Sequence, residues 1–167
     1  MKKTIFKTLS LGLFLCAIHV NSLNASDITF GGQAGAADLA EGKSDTGVGF
    51  GAFVQGSALD ILSLQVDYFN TKINTAKVNA FSANLVWSIV DFDELKVGLL
   101  AGPGFYELAG DPWKFGLNGG VFGEISFIEN LPIGLQARYH SVFGGKDNDL
   151  WSVFMTVGYR FSTGSAW

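Results

Sequence analysis

The sequence predicts an all-β protein: an eight-stranded antiparallel up-and-down transmembrane β-barrel with short periplasmic turns. Three observations predict it. Segments of about ten residues alternate apolar with small or polar positions and are separated by turn residues, the per-strand signature of a membrane barrel. Beyond the N-terminal segment, no apolar run approaches the ~20 residues that a spanning helix needs. The last segment, Leu150–Phe161, puts Trp151, Val153, Met155, Val157, Tyr159 and Phe161 on one face of a strand and Ser152, Phe154, Thr156, Gly158 and Arg160 on the other. Its greasy face has aromatic rings at both ends and aliphatic side chains between, the order in which a bilayer presents its interfaces and core.

The N-terminus reads as an export signal. Lys2, Lys3 and Lys7 precede a largely apolar run from Leu9 to Val20, and Leu23-Asn24-Ala25 ends in a small residue. That order describes a secretory signal peptide, 1–25, cleaved after Ala25; the run is too short for a retained anchor helix. Cys16, the one cysteine of 167 residues, follows Leu15, whereas lipid modification needs a small residue there. The exported chain would hold no cysteine and no disulfide, so its stability must come from elsewhere. Removing the leader takes the eleven basic residues down to eight against fifteen acidic ones. With no basic patch, nucleic acid is excluded as a partner. What remains fits one domain, a barrel over 26–161 followed by a short periplasmic tail, 162–167.

The eight strands follow in order. The first, Ile28 to about Ala36, sets Ile28, Phe30 and Ala34 against Gly31, Gln33 and Gly35, and the polar stretch Asp38 to Thr46 follows. The second, Gly47–Gly56, sets Val48, Phe50, Ala52 and Val54 against Gly47, Gly49, Gly51, Phe53 and Gln55. After a turn at Ser57–Asp60, the third opposes Leu62, Leu64, Val66 and Tyr68 to Ser63, Gln65, Asp67 and Phe69. Asn70–Ala76 reads as a polar loop. The fourth, Lys77–Ser88, sends Phe81, Ala83, Leu85 and Trp87 outward, and Asp91–Glu94 turns the chain.

The fifth, Leu95–Phe105, contains Pro103, which has no ladder donor, so a bulge or fraying is expected there. Glu107–Lys114 forms a third polar loop. The sixth, Phe115–Phe127, alternates Leu117, Val121, Ile125 and Phe127 with Asn118, Gly120, Phe122, Glu124 and Ser126. Glu129–Pro132 turns into the seventh, where Ile133, Leu135, Ala137 and Tyr139 oppose Gly134, Gln136, Arg138 and His140. Gly144–Asp149 leads to Leu150–Phe161, and an even count brings both termini to one side.

Tight turns after strands two, four and six, and more polar loops of about ten residues after the others, match the short periplasmic turns and longer outer loops of such barrels. In that orientation Phe50, Tyr68, Phe81, Phe105, Phe115, Tyr139 and Trp151 form one aromatic girdle. Trp87, Phe127, Tyr159 and Phe161 form the other. A soluble barrel would reverse the faces and line a ligand cup with apolar walls; here the second face is dominated by Gly, Ser, Gln, Asn and charge. Asp67, Lys96, Glu124, Arg138, His140 and Arg160 are inward charges and their neighbour, read as a polar plug in a lumen only wide enough for side chains. Glu124 and Arg138 lie on adjacent strands, within reach of pairing.

Across the whole mature chain the sequence resembles the small eight-stranded outer-membrane barrels of the opacity-protein and OmpX-like group. The resemblance is most specific at Val157-Gly158-Tyr159-Arg160-Phe161, similar to the C-terminal signal, here Gly158, Tyr159 and Phe161, that the barrel-assembly machinery reads. It departs from that pattern in continuing through Ser162 to Trp167. The resemblance implies the bacterial outer membrane as location, lipid and lipopolysaccharide as partners, the assembly machinery during biogenesis, and a monomer without cofactor or metal. It implies function less well, because fold does not fix function. A structural or surface-interaction role is expected, with a narrow ion channel as the alternative. A barrel enzyme that modifies lipopolysaccharide is disfavoured: His140 and Ser141 are adjacent, so they point to opposite faces and the one cannot activate the other. Trp113 and Phe143 are candidate loop contacts.

Overall fold

In a computed structural model, which describes residues 27–40, 46–59, 61–73, 75–92, 94–128, 130–144 and 149–162, the chain is a closed barrel of eight strands. They are β1 (Asp27–Leu39), β2 (Gly47–Leu59), β3 (Leu62–Ile73), β4 (Ala76–Asp91), β5 (Leu95–Leu108), β6 (Lys114–Ile128), β7 (Leu131–Val142) and β8 (Leu150–Ser162). Each pairs antiparallel with its chain neighbour, and β8 closes on β1 along their whole length, from Asp27 opposite Ser162 to Leu39 opposite Leu150. Closure leaves no edge strand to template aggregation. The predicted signal peptide and the tail beyond Ser162 lie outside the described residues.

Period-two patterning decides which way each side chain points, and it reads correctly on every strand. Phe30, Phe50, Leu64, Leu85, Leu99, Val121, Leu135 and Met155 stand exposed on the outer surface, while Gln33, Phe53, Gln65, Val86, Leu100, Phe122, Gln136 and Phe154 are buried in the lumen.

Three sequence expectations need correction. The strands run longer than read: only 74–75 separate β3 from β4 and 109–113 separate β5 from β6, with 40–46 and 143–149 as the other connections at that end. Asn70 to Ile73 and Ala76 onward are therefore ladder, not loop. Polar side chains do not end a strand if the backbone stays paired; here they mark where the outer surface changes character.

Pro103 carries no bulge. It pairs across from Leu117 on β6, and on its other side the β4 ladder is merely interrupted, with Ser82 opposite Gly104 and Leu85 opposite Ala101 in one register. The actual irregularities lie between Ser57 and Leu59, Ser88 and Val90, and Ile125 and Ile128. All three precede the tight turns at the end of the barrel that bears the termini, where a bulge tightens the local twist.

The lumen is also less polar than predicted. Phe69, Ile73, Val78, Tyr106, Leu108, Val142, Leu150 and Phe154 form an apolar cluster towards the end opposite the termini, and Val86, Leu100 and Phe122 form a second one deeper in. Inward glycines make room for these rings. A Cβ on Gly31 would lie 2.4 Å from the Phe53 ring, and one on Gly158 would also meet it. Gly104 and Gly116 likewise face Tyr106, with Cβ positions 2.5 and 2.9 Å from its atoms. Small residues on one strand are thus the sockets for aromatics on the next, a close approach that only glycine permits.

Candidate functional site

Between the two apolar clusters lies a buried polar tier. Asp67 on β3 and Arg138 on β7 meet across the barrel, Nη1 to Oδ2 at 2.8 Å, with side chains 1% and 2% exposed. The same Asp67 oxygen accepts from Asn84 Nδ2 at 2.9 Å and from Gln65 Nε2 at 3.3 Å. Arg138 Nη2 donates to Gln136 Oε1, and Gln136 and Gln65 exchange amide hydrogen bonds across the lumen. An ion pair taken out of water holds together only when its remaining valences are met. Here they are met in part: Asp67 Oδ1, Asn84 Oδ1 and Arg138 Nε are buried without a hydrogen-bond partner among the described residues.

Glu124 and Arg138, which adjacent strands place within reach of pairing, do not pair. Glu124 pairs instead with Arg160 of β8, nearer the end with the termini, and both are partly exposed. Two adjacent inward charges on a shared wall lost to one partner across the lumen and one at a different level. Lys96 keeps inward parity, opposite Glu124 on β6, but takes no part in the buried network. It sits at the mouth and binds Asp91 at 3.1 Å, directly opposite it in the β4–β5 register, with both side chains about a third exposed.

His140 joins a chain that the sequence did not reveal. Its Nδ1 lies 3.0 Å from the Tyr106 hydroxyl and its Nε2 2.8 Å from Ser152 Oγ, and the ring stacks edge-on to Phe69 at 5.7 Å. The hydroxyl it reaches belongs to β8, not to Ser141, which faces out. Ser152 shares inward parity with Arg138, its register partner, and that parity is the signal that could have found it. Tyr106, His140 and Ser152 are all essentially without exposure, so no substrate reaches them; the arrangement fixes ring orientation inside a packed layer.

On the outer surface, the register sets Tyr68, Phe81, Phe105 and Phe115 side by side on four strands, with Phe105 and Phe115 in edge contact at 5.6 Å. Tyr139 and Trp151 pack at 4.7 Å, and Phe50 is exposed on β2. Near the termini Phe161 contacts Phe30 at 5.9 Å and Tyr159 at 4.7 Å, while Trp87 and Phe127 stand exposed. Phe30 and Phe92 were not among the predicted girdle residues, although both are exposed at that end. Gly158, of the predicted assembly signal, faces the lumen beside Phe53, whereas Tyr159 and Phe161 face out. Phe143 packs on Phe115 at 5.7 Å.

Beyond the Tyr68–Phe81 pair, the outer face turns polar without leaving the strands. Tyr68 Oη and Asn70 Nδ2 both donate to Asn79 Oδ1, at 2.9 and 2.6 Å, and Asn79 Nδ2 donates to Glu107 Oε2 at 2.7 Å. Asp149 anchors the connection before β8 by accepting from the Val142 amide at 2.9 Å and from the Tyr139 hydroxyl.

No profile of a known protein family matches the sequence, and no curated protein does. Solved structures do. The N-terminal β-barrel domain of Pseudomonas aeruginosa OprF superposes with a TM-score of 0.63 at 14% identity, covering 81% of this chain and 98% of that one. Neisserial surface protein A gives 0.62 at 16% identity, covering 81% and 96%. Ail, the attachment invasion locus protein of Yersinia pestis, gives 0.58 at 16%, covering 81% and 97%. At such identities the likeness establishes the fold: a closed, eight-stranded antiparallel barrel of the kind found in small outer-membrane proteins.

Proposed function

We propose that the protein is an integral protein of the bacterial outer membrane, with a structural or surface-interaction role and a lumen that its own side chains fill. The observation that carries this reading is the outer surface. Every strand exposes large apolar side chains there, from Val48 and Leu64 through Leu85, Leu99, Val121 and Leu135 to Met155 and Val157. A soluble monomer rarely exposes contiguous apolar patches beyond a few hundred Å²; lipid removes that cost. The aromatic rings at both ends of the band fall where a bilayer's interfaces would lie.

Orientation follows from the connections. The termini and the tight turns 60–61, 92–94 and 129–130 face the periplasm, and the other four connections face outward. Export would use the N-terminal signal peptide, and insertion would use the assembly machinery acting on β8 through Gly158, Tyr159 and Phe161. The folded barrel is closed on itself and is expected as a monomer.

The lumen supports a non-conducting role. Two buried apolar clusters and a buried ion pair with its amide partners fill the lumen with side chains, which supports that reading. In planar bilayers the purified, folded protein should show no discrete current steps at moderate voltage; reproducible single-channel steps would replace this reading with the channel alternative. Catalysis is disfavoured because the histidine nearest a hydroxyl, His140 with Ser152, is sealed in the core. The short connections leave little protruding surface, so contacts with lipid and lipopolysaccharide along the wall are the expected interactions.

A further inference from the structure

We propose that the outer ends of β3 and β4 hold a binding site for the phosphorylated headgroup of lipopolysaccharide, with Lys72 and Lys77 gripping phosphate; the proposal rests on the outer-membrane reading above. The register sets Lys72 directly opposite Lys77, and both are exposed on the outer face. Like charges directly opposite on neighbouring strands repel. Among the described residues, neither ammonium enters an ion pair. Such a rung gains most from an anion placed between the two side chains, and Lys presents three donors to it.

The rung's place in the wall says which anion. Along the outer face of this hairpin the opposed pairs are Leu64–Leu85, Val66–Ala83, Tyr68–Phe81, Asn70–Asn79 and Lys72–Lys77. The chemistry passes from aliphatic to aromatic to amide to ammonium, the order of a leaflet from acyl chains to headgroup. Successive pairs are ~6.6 Å apart along the strand. The lysines therefore stand roughly 13 Å beyond the Tyr68–Phe81 ring pair along the strand, and somewhat less along the barrel axis because of strand tilt. With the aromatic rings at headgroup level, the rung stands at the outer edge of the polar layer, a height that a large sugar-phosphate headgroup reaches and a small phospholipid headgroup does not.

A cleft of about 480 Å³ opens beside Lys77, lined by Thr75, Asn79, Glu107, Ala109 and Gly110. Its shape is fixed from two sides. The Tyr68–Asn70–Asn79–Glu107 hydrogen bonds hold the wall. Ala109 and Gly110 adopt φ of 55° and 85°, turning the β5–β6 connection aside while the Ala109 amide donates to the Lys77 carbonyl at 2.8 Å. The exposed Thr75 hydroxyl in the cleft suits the sugar hydroxyls of a glycolipid. Glu107 is the carboxylate in the cleft; it turns to Asn79 rather than to either lysine, so it opposes an anion without neutralising the ammoniums.

The test uses the full chain folded in neutral detergent, titrated separately with diphosphoryl lipid A, monophosphoryl lipid A and phosphatidylglycerol. Diphosphoryl lipid A should bind most tightly. Lys72→Gln with Lys77→Gln should weaken it about thirtyfold, as expected for two lost cationic contacts at a membrane surface. Lys72→Arg with Lys77→Arg should retain binding, and Glu107→Gln should bind at least as tightly as the native chain. Heat-modifiable gel mobility shows that each variant is folded. The proposal fails if the native chain does not bind lipid A, if phosphatidylglycerol binds equally well, if folded K72Q/K77Q binds within threefold of native, or if Glu107→Gln weakens binding. A folded, membrane-extracted barrel with any of those results removes this site and leaves the membrane placement standing; a protein recovered soluble from the periplasm removes both.

Discussion

Asp67 and Arg138 show what a single pair of residues does in this lumen. Each is desolvated and each is the other's main compensation. Losing one partner leaves a buried charge alone, so Asp67→Asn or Arg138→Met should each cost about 3–5 kcal/mol. The two together should cost clearly less than the sum, because the network is already incomplete at Asp67 Oδ1 and Arg138 Nε. Urea unfolding in lipid vesicles, run as a double-mutant cycle, measures that coupling; strictly additive losses would show that the pair is not a unit. The sequence marked both residues as inward by strand parity. It could not show their pairing, since β3 and β7 are not neighbours and parity carries no information about what faces a residue across a lumen. The contact between His140 and Ser152 differs: it joins the neighbouring strands β7 and β8, where shared inward parity is a readable signal. Glycine makes a second residue-scale point. Gly31→Ala pushes a methyl group into the Phe53 ring and should destabilise by about 1–3 kcal/mol, with Phe53→Leu in the same chain recovering part of the loss in the same unfolding assay. Phe53, Phe69, Phe122 and Phe154 all had inward parity in the sequence, yet the abundance of glycine around them suggested a small-residue filling. The glycines are instead the spaces that the rings occupy.

At the scale of one element, the β3–β4 hairpin shows both what alternation reveals and where it misleads. Its inward and outward faces were legible residue by residue. Its end is not: Asn70 to Ala76 read as loop because they are polar, whereas the ladder continues to Ile73 opposite Ala76. Backbone pairing and membrane burial are different boundaries, and in a membrane strand the side chains report the second. Position along the strand should therefore set the cost of a new charge. Leu85→Arg, within the apolar band, should cost about 2–4 kcal/mol, and Thr75→Arg, beyond the lysine rung, about 0–1 kcal/mol. Unfolding free energies in vesicles test this; equal costs at the two positions would mean that the band is not in contact with lipid. Pro103 makes the complementary point on β5. The missing donor interrupts one ladder while the other continues, so the barrel needs no bulge to accommodate it.

For the whole molecule, fold class, strand count and the sorting of faces were all readable from period-two patterning and turn spacing, because a barrel repeats one simple constraint eight times. What the patterning left out is how the interior closes: apolar clusters alternate with ionic tiers, an order that depends on register between strands far apart in the chain. The central claim is that this wall lives in lipid, with its strands paired all the way round and no edge exposed. Outer-membrane extraction followed by gel electrophoresis with and without boiling tests it most directly. The protein should partition with the outer membrane and resist protease, and the unboiled form should migrate as a compact species distinct from the boiled one. Recovery from the periplasm as a soluble protein with a single, heat-independent mobility would contradict it.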